Sequence, residues 1–322
     1  MTAPSGRSAG SGVAPRGPEF TVVIPTYQRA GSIARAVGSV LGQTFGDFEL
    51  IVCDDGSTDA TTEVVGAMGD PRVRYTREPR AGVSAARNRG IRQARGRWVT
   101  FLDSDDQALP DWLATFHELA GSPDVGIVSG GARVVGRRGG RKVRETVVPP
   151  RPVGPHLGRA TLATTAGNFA ARRELLVEVG GYAEAIGFAE NSELMMRLVP
   201  HCLAKGLRTA HVDRPLVVHH KDEDAWTAEP GRFALMRDAA RYILDRHGET
   251  LRASFPRGFA NYCGVAAVNE ARLGQLAEAR RHLAAAIRAD PRRLTSYARW
   301  LATLVPPLAR RLWTPAAADA AR

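Results

Sequence analysis

Trp98-Val99-Thr100-Phe101-Leu102-Asp103-Ser104-Asp105-Asp106 is the stretch that decides how this chain is read. Five residues suited to a buried strand run directly into three carboxylates within four positions. A strand sends side chains to alternate faces, so an apolar run without polar alternation predicts a strand covered on both faces. The acids then fall where the strand leaves the core. Carboxylates packed that closely repel one another unless something positive lies between them. A divalent cation, which prefers hard oxygen ligands, meets that need. The plainer reading is an acidic turn capping the helix after Pro110, and for an isolated D-x-D-D it would prevail. The residues before this stretch tip the balance.

Working outward, Phe20-Thr21-Val22-Val23-Ile24 is a short apolar run stopped by Pro25, and predicts a first buried strand. Ser32 is placed to cap a helix in which Ile33, Ala36, Val37, Val40 and Leu41 recur at helical spacing up to Gly42. Phe48 to Cys53 predicts a second strand. It stops at the polar turn Asp54-Asp55-Gly56-Ser57-Thr58-Asp59, which opens a helix through Val64, Val65 and Met68. Val73-Arg74-Tyr75 reads as a brief third strand, and 82–95 as a helix leading into the opening stretch. Strands alternating with helices mean a parallel sheet with right-handed crossovers, whose ligands sit beyond the carboxyl ends of the strands. Thr26-Tyr27, Asp54-Asp55 and 103–106 all fall at such ends. Their shared location is a stronger signal than any one of them.

Composition sets the outer limits. The 322 residues suffice for one large domain and a smaller one, and 44% hydrophobic with 24% charged residues is ordinary for a globular chain. The net charge of +11 is nearly all arginine, since only Lys142, Lys205 and Lys221 are lysines. Arginines spread along the whole chain argue against a dedicated nucleic-acid face, so no nucleic-acid partner is expected. Cys53, Cys202 and Cys263 are far apart among apolar residues and read as reduced core thiols. Residues 1–18 lack the apolar centre of a signal peptide and are expected as a disordered tail. No apolar run reaches the roughly 18 residues that span a bilayer. A cytoplasmic protein is expected, in peripheral contact with the inner face of the membrane if with any.

Taken together, these motifs give the chain a likeness. Val22-Val23-Ile24-Pro25-Thr26-Tyr27, Ser39-Val40-Leu41-Gly42-Gln43-Thr44-Phe45, the run from Phe48 to Asp59, Gly82-Val83-Ser84-Ala85-Ala86-Arg87-Asn88, Phe101-Leu102-Asp103-Ser104-Asp105-Asp106 and Gly180-Gly181-Tyr182 follow in order. Over about residues 19 to 220 the chain resembles a family 2 inverting glycosyltransferase. That family has the GT-A fold, a Rossmann-like α/β architecture with a mainly parallel sheet flanked by helices. The resemblance implies transfer of a sugar from a nucleoside-diphosphate sugar, a UDP-sugar favoured, to a glycan or lipid-linked hydroxyl acceptor with inversion. Polysaccharide, glycolipid or glycoconjugate synthesis is the implied setting.

The resemblance also assigns residues. Pro25, Thr26, Tyr27 and Arg29 line the nucleotide pocket, Asp55 accepts a hydrogen bond from the base, and Arg87 lies on the nucleotide or phosphate side. Asp103 and Ser104 belong to the ribose site. Mn2+ or Mg2+ is implied against the diphosphate, with Asp105 favoured as ligand, Asp106 its close rival and His219 facing the same group. Plainer roles stand beside these: a turn for Asp54, a salt bridge to the acidic clusters for Arg87, and a structural place for His219, since His219 and His220 face opposite sides of a strand.

One departure weakens the assignment. Family members carry Glu-Asp ahead of an apolar helix containing Arg, and that Asp is the expected general base. Here the stretch is Ala189-Glu190-Asn191-Ser192-Glu193-Leu194-Met195-Met196-Arg197-Leu198, with Asn191 at the base position. An amide does not usefully accept a proton at neutral pH. Glu190 is favoured as the substitute by adjacency. Glu193 follows, although its i,i+4 spacing to Arg197 favours a simple ion pair. The competing class is a nucleotide-sugar-binding or scaffolding protein that has lost turnover. A nucleotidyltransferase uses a similar sheet, but its Gly-rich, Lys-containing loop is missing after the first strand.

The chain therefore divides into a GT-A domain over 19–229, with a nucleotide half (19–106) and an acceptor half (107–229), and a helical C-terminal region over 230–322. In the acceptor half, 125–129 predicts a strand, 132–135 and 143–148 a hairpin with a basic tip, and 149–155 a stiff connector. A helix is expected over 172–179. Two closing strands, 208–212 and 216–219, are expected around a turn at Asp213-Arg214-Pro215, and 221–229 is a loop suited to close over the site. Beyond 230 a tetratricopeptide-like helix pair is expected at about 262–289, joined at Gly274. The final segment interleaves Arg292, Arg293, Arg299, Arg310 and Arg311 with Tyr297, Trp300 and Trp313. It suits peripheral contact with an anionic membrane, against the plainer reading of a helix packed on the domain.

Overall fold

The structure, a computed structural model, describes residues 17–138, 141–148, 167–222, 231–305 and residue 313. Strands β1 (Phe20–Thr26), β2 (Phe48–Asp54), β3 (Val73–Arg77) and β4 (Trp98–Phe101) form a parallel run in the order β3-β2-β1-β4. The two-residue period of a strand splits their side chains between two apolar layers. Val22, Ile24, Leu50 and Val52 face one layer, with Ile33, Val37 and Val40 of helix α1 (Ile33–Leu41). Val23, Ile51 and Cys53 face the other, with Ala86 and Ile91 of helix α3 (Val83–Gln93). Each aliphatic side chain removed fully from water contributes about 1.5–3 kcal/mol, and this double coverage explains why β1, β2 and β4 carry no polar alternation. Helix α3 approaches β1 so closely that a Cβ on Gly90 would lie 2.3 Å from Cγ1 of Val23. Ser32 precedes α1 as expected, but its hydroxyl makes no capping hydrogen bond.

Beyond β4 the sheet is mixed rather than parallel. Strand β8 (Phe169–Arg172) lies antiparallel to β4, and β6 (Val125–Arg138) antiparallel to β8. Strand β9 (Arg208–Asp222) then runs parallel to β6, β5 (Gln107–Ala108) closes antiparallel to β9, and β7 (Arg141–Val148) forms a hairpin with β6. The two strands expected over 208–219 are one. Register shifts against β6 at Ser129, Gly131 and Ala132 absorb Asp213-Arg214-Pro215, with Pro215 opposite Gly131, so the expected turn stays inside the strand. Helix α2 (Thr61–Gly66) follows β2, and α4 (Trp112–Leu119) and α5 (Arg173–Glu178) flank the second half. Residues 1–16 of the expected tail, the whole connector at 149–155 and residues 223–229 of the expected loop lie outside the described residues, while Lys221 and Asp222, expected in that loop, end β9.

Helix α6 (Glu190–Ala204) leads toward the helical region of α7 (Arg232–Ser254), α8 (Pro256–Arg272), α9 (Leu276–Ala289) and α10 (Leu294–Ala302). Helix α8 starts at Pro256, where the missing N–H is harmless, earlier than the helix expected from 262. Ala240, Ile243, Leu251, Phe259, Cys263 and Ala286 share a core that also takes Met196 of α6. Buried Glu270 accepts from Arg241 of α7 at 2.9 Å and bonds His282 of α9 at 2.9 Å. Burial favours its neutral form, but these bonds prevail and hold the carboxyl below its ordinary range. Among the described residues no helix is long and apolar enough to cross a membrane.

Candidate functional site

The carboxyl ends of β1, β2 and β4 open onto a cavity of about 490 Å³. Pro25, Thr26, Tyr27 and Arg29 form one wall, Asp55 and Arg80 another, and Val83, Ala86 and Arg87 of α3 a third; Asp103, Ser104 and Asp105 follow β4, while Gly187, Glu190 and Leu235 close the far side.

The β1 wall is pinned to the β2 loop largely through Gln28, with the Arg29 and Ala30 N–H groups also bonded to the Thr61 and Asp59 side chains. Gln28, in the left-handed region at φ 51°, donates from its backbone N–H to Ser57 Oγ at 2.9 Å. Its amide oxygen accepts from the backbone N–H groups of Thr58 and Asp59 at 2.9 and 3.0 Å. Beside it the Arg80 guanidinium lies 4.1 Å from the centre of the Tyr27 ring, a cation over a π face. Buried Asp54 serves the turn, accepting from the Ser57 N–H at 2.7 Å and from the Tyr75 hydroxyl. Asp55 accepts from the N–H groups of Ala81 and Gly82, each at 2.8 Å, which fixes the entry to α3. A carboxylate has about four lone-pair sites, so two backbone bonds leave acceptor capacity on this wall.

Arg87 is fully buried and forks between two acids. It donates to Asp103 Oδ1 at 2.8 Å and to Glu190 Oε1 at 2.9 Å, and its guanidinium lies 5.1 Å from the centre of the Tyr182 ring. The salt bridge to the acidic clusters weighed for Arg87 is present, and the side chain also lines the cavity.

The three aspartates after β4 separate in role. Asp103 faces Arg87, and Asp105 lies 3.6 Å from Arg29 with its backbone carbonyl accepting from Arg35. Partial burial, followed by the neighbouring charge of Asp103, pushes the Asp105 carboxyl above its usual range. Asp106 instead turns into the protein. It pairs with His219 Nδ1 and accepts from the His220 N–H at 3.0 Å. Burial pushes its carboxyl up to about 6 against the opposing His219 bond. His219 is itself drawn up, its burial being outweighed by Asp106. Neither Asp106 nor His219 lines the cavity. The sequence reading favoured Asp105 as metal ligand, with Asp106 its rival and His219 facing the same group. In the structure Asp106 and His219 bond each other, Asp106 following the turn over Ser104-Asp105 that its N–H closes on the Asp103 carbonyl at 3.0 Å, and His219 coming from β9.

Helix α6 starts from Ala189, also left-handed at φ 58°. A non-glycine residue there costs on the order of 1 kcal/mol, and the kink sets Glu190 as the first helical residue on the cavity wall. Asn191 is not on that wall; its Oδ1 accepts from the Tyr182 hydroxyl at 2.9 Å. Glu193 is wholly buried away from the cavity, bonded by Arg197 at 2.9 and 2.6 Å and by His247 of α7 at 3.0 Å. Burial opposes its charge, but the His247 and Arg197 bonds prevail and hold its carboxyl at about 2. Of the three candidate base residues, only Glu190 reaches the cavity.

Sequence reasoning passed over Arg80, which stacks on Tyr27, and Leu235, which enters from α7. Arg80 lies two residues before the Gly82–Asn88 motif, and that proximity offered a signal; nothing local marks Leu235. Among the described residues no three His, Cys, Asp or Glu side chains form a metal cage. Asp103 and Asp105 do fit an ion that takes one or two protein carboxylates and completes its shell with phosphate oxygens and water.

The family model of Glycosyl transferase family 2 matches residues 21–180. Over 104 residues the chain is 46% identical to the succinoglycan biosynthesis protein ExoO of Rhizobium meliloti, which covers 32% of this chain and 30% of that relative. The fold matches S. aureus TarS 1-349, solved with UDP-GlcNAc, at a TM-score of 0.62 and 22% identity over 91% of this chain and 87% of that one. It also matches the mannosyltransferase PcManGT of Pyrobaculum calidifontis, solved with GDP-Man and Mn2+, at a TM-score of 0.54 and 23% identity over 92% and 87%. The matched segment and the fold agree with the motifs at the strand ends, and the chain belongs to glycosyl transferase family 2.

Proposed function

We propose that this chain is a working glycosyltransferase that moves a sugar from a nucleoside diphosphate, UDP favoured, to a hydroxyl on a glycan or lipid-linked acceptor, with inversion. The observation that carries the reading is that Asp55, Asp105 and Glu190, three carboxylates suited to three tasks, line one cavity. Asp55 accepts the N–H of a uracil-like base stacked near Tyr27. Asp103 and Ser104 hold the ribose. Arg29 and Arg80 bring positive charge to the diphosphate.

Glu190 takes the proton of the acceptor hydroxyl. The freed oxygen attacks the anomeric carbon from the face opposite the diphosphate. The new C–O bond forms as the bond to the diphosphate breaks, and the electron pair leaves on the phosphate oxygen. Arg87 holds Asp103 and Glu190 in place throughout. Asp105, with Asp103 beside it, would hold Mn2+ or Mg2+, whose charge would stabilise the diphosphate leaving group. The neighbours solved with UDP-GlcNAc and with GDP-Man and Mn2+ support a nucleotide-sugar donor and a divalent ion, and the ExoO relative supports a polysaccharide setting.

A second reading, a nucleotide-sugar-binding or scaffolding protein without turnover, is favoured by one observation: the amide of Asn191 stands at the usual base position, bonded to Tyr182. Release of nucleoside diphosphate across a panel of donors and acceptors separates the two. An acceptor-dependent rise in release supports transfer. Donor binding with no such rise for any acceptor supports the second reading.

A further inference from the structure

Helix α10 presents a stripe to water that carries no charge. Leu294 is 76% exposed, Tyr297 39%, Leu301 58%, Leu304 47% and Val305 49%, and Ala298 is exposed among them. At about 100° per residue these positions, carried into the turn after the helix, fall within roughly 120° of one another. The opposite side is the packed one: Ser296 and Ala302 are buried, and Trp300 lies against the cluster of Ala267, Ala271, Ala279 and Leu283. In a chain with 24% charged residues, so many large apolar side chains side by side on a surface mark a contact face.

The charge around the stripe points to the occupant. Arg292 and Arg293 lead directly into it, and residues 292–322 hold six arginines against one acid, Asp319. At the entry to α10 a cleft of about 420 Å³ is lined by Phe255, Arg257, Asp290, Pro291 and Arg292. Asp290 there is only loosely met by Arg257, at 3.9 Å. An apolar stripe that includes Tyr297 and is led into by Arg292 and Arg293 fits the boundary between acyl chains and anionic headgroups. A second copy of this chain fits less well, because the segment it would offer to these arginines, residues 292–322, itself holds six arginines and one acid.

We propose that α10 docks on an anionic lipid bilayer, with Leu294, Tyr297, Leu301, Leu304 and Val305 facing the acyl chains and Arg292 and Arg293 at the lipid phosphates. The proposal stands independently of the glycosyl-transfer reading.

The test is co-sedimentation of the full chain with vesicles of phosphatidylcholine alone, or with about 30% phosphatidylglycerol. Binding should be at least about tenfold stronger on the anionic vesicles and should weaken with salt. Leu294→Glu/Leu301→Glu and Arg292→Gln/Arg293→Gln should each lower it at least about tenfold, with melting temperature and nucleoside diphosphate binding unchanged. Failure of the wild-type chain to bind anionic vesicles overturns the proposal, as does undiminished binding by the leucine variant. A wild-type dimer in sedimentation velocity that the leucine variant splits overturns it too, and assigns the stripe to a second copy.

Discussion

Arg87 Nη1 lies 2.9 Å from Glu190 Oε1, so one buried guanidinium joins α3 to the first residue of α6. The same side chain holds Asp103 at 2.8 Å, which makes it the only cation shared by the acidic end of β4 and the proposed base among the contacts of the described residues. Removing it leaves two carboxylates facing each other across a partly dry wall. Arg87→Met should lower stability by about 3–5 kcal/mol and turnover by at least about 100-fold. Denaturant unfolding and nucleoside diphosphate release check this, and near-native turnover in a folded variant would contradict the role.

Glu190 and Asn191 are separated by one mutation each. Glu190→Gln keeps shape and an acceptor for Arg87 but cannot take a proton. It should cut kcat by about 10²–10⁴-fold while donor affinity changes little. Asn191→Asp keeps the Tyr182 contact but adds a carboxylate off the cavity wall, and should change kcat by less than about threefold. A gain above tenfold in that variant would show that position 191, not Glu190, is where the proton belongs.

Leu235 brings α7 into the cavity, against Gly187, where a Cβ would meet its Cδ1 at 3.1 Å. This places part of the helical region beside Glu190, the side to which the proposed mechanism brings the acceptor. Leu235→Ala should raise the acceptor KM several-fold, about the effect of lost methyl contacts in a pocket, and leave the donor KM within twofold. Steady-state kinetics with each substrate varied in turn decides it. An effect confined to donor KM would move Leu235 to the nucleotide side.

Glu193 predicts a pH dependence of stability. Its carboxyl is held at about 2 in the folded protein against an ordinary value of 4.5. A lowered value means the folded state resists protonation. The stabilisation is therefore complete above about pH 4.5 and is lost as pH falls toward 2, with a size on the order of 3 kcal/mol. Glu193→Gln removes that component, so its stability should fall less steeply than wild type between pH 5 and 2. Denaturant melts across that range check the slope, and parallel curves would contradict the assignment.

The nucleotide half was legible because its signals are local. Apolar runs ending at Pro25, Asp54 and Asp103 mark strand ends directly, and the packing of two layers on one sheet follows from their lack of polar alternation. The second half was less so. Whether Asp213-Arg214-Pro215 turns or stays in a strand depends on the register of β9 against β6, a partner far away in sequence. The same limit governs the site. That Asp55 and Asp105 share a cavity could be anticipated from strand order, but the inward turn of Asp106 to His219 and the arrival of Leu235 depend on tertiary contacts that no spacing encodes. Asn191 was visible as a departure from the start; which neighbour stands on the wall was settled only by the start of α6 at a left-handed Ala189.

The central claim is that Asp105 and a divalent ion together hold the diphosphate of a nucleotide sugar at the rim of the sheet. Calorimetric titration of UDP into the protein with and without Mn2+, for wild type and Asp105→Ala, tests it directly. The account predicts that Mn2+ tightens UDP binding at least about tenfold in wild type and by less than twofold in the variant. Equal enhancement by Mn2+ in both proteins, or none in wild type, would contradict it.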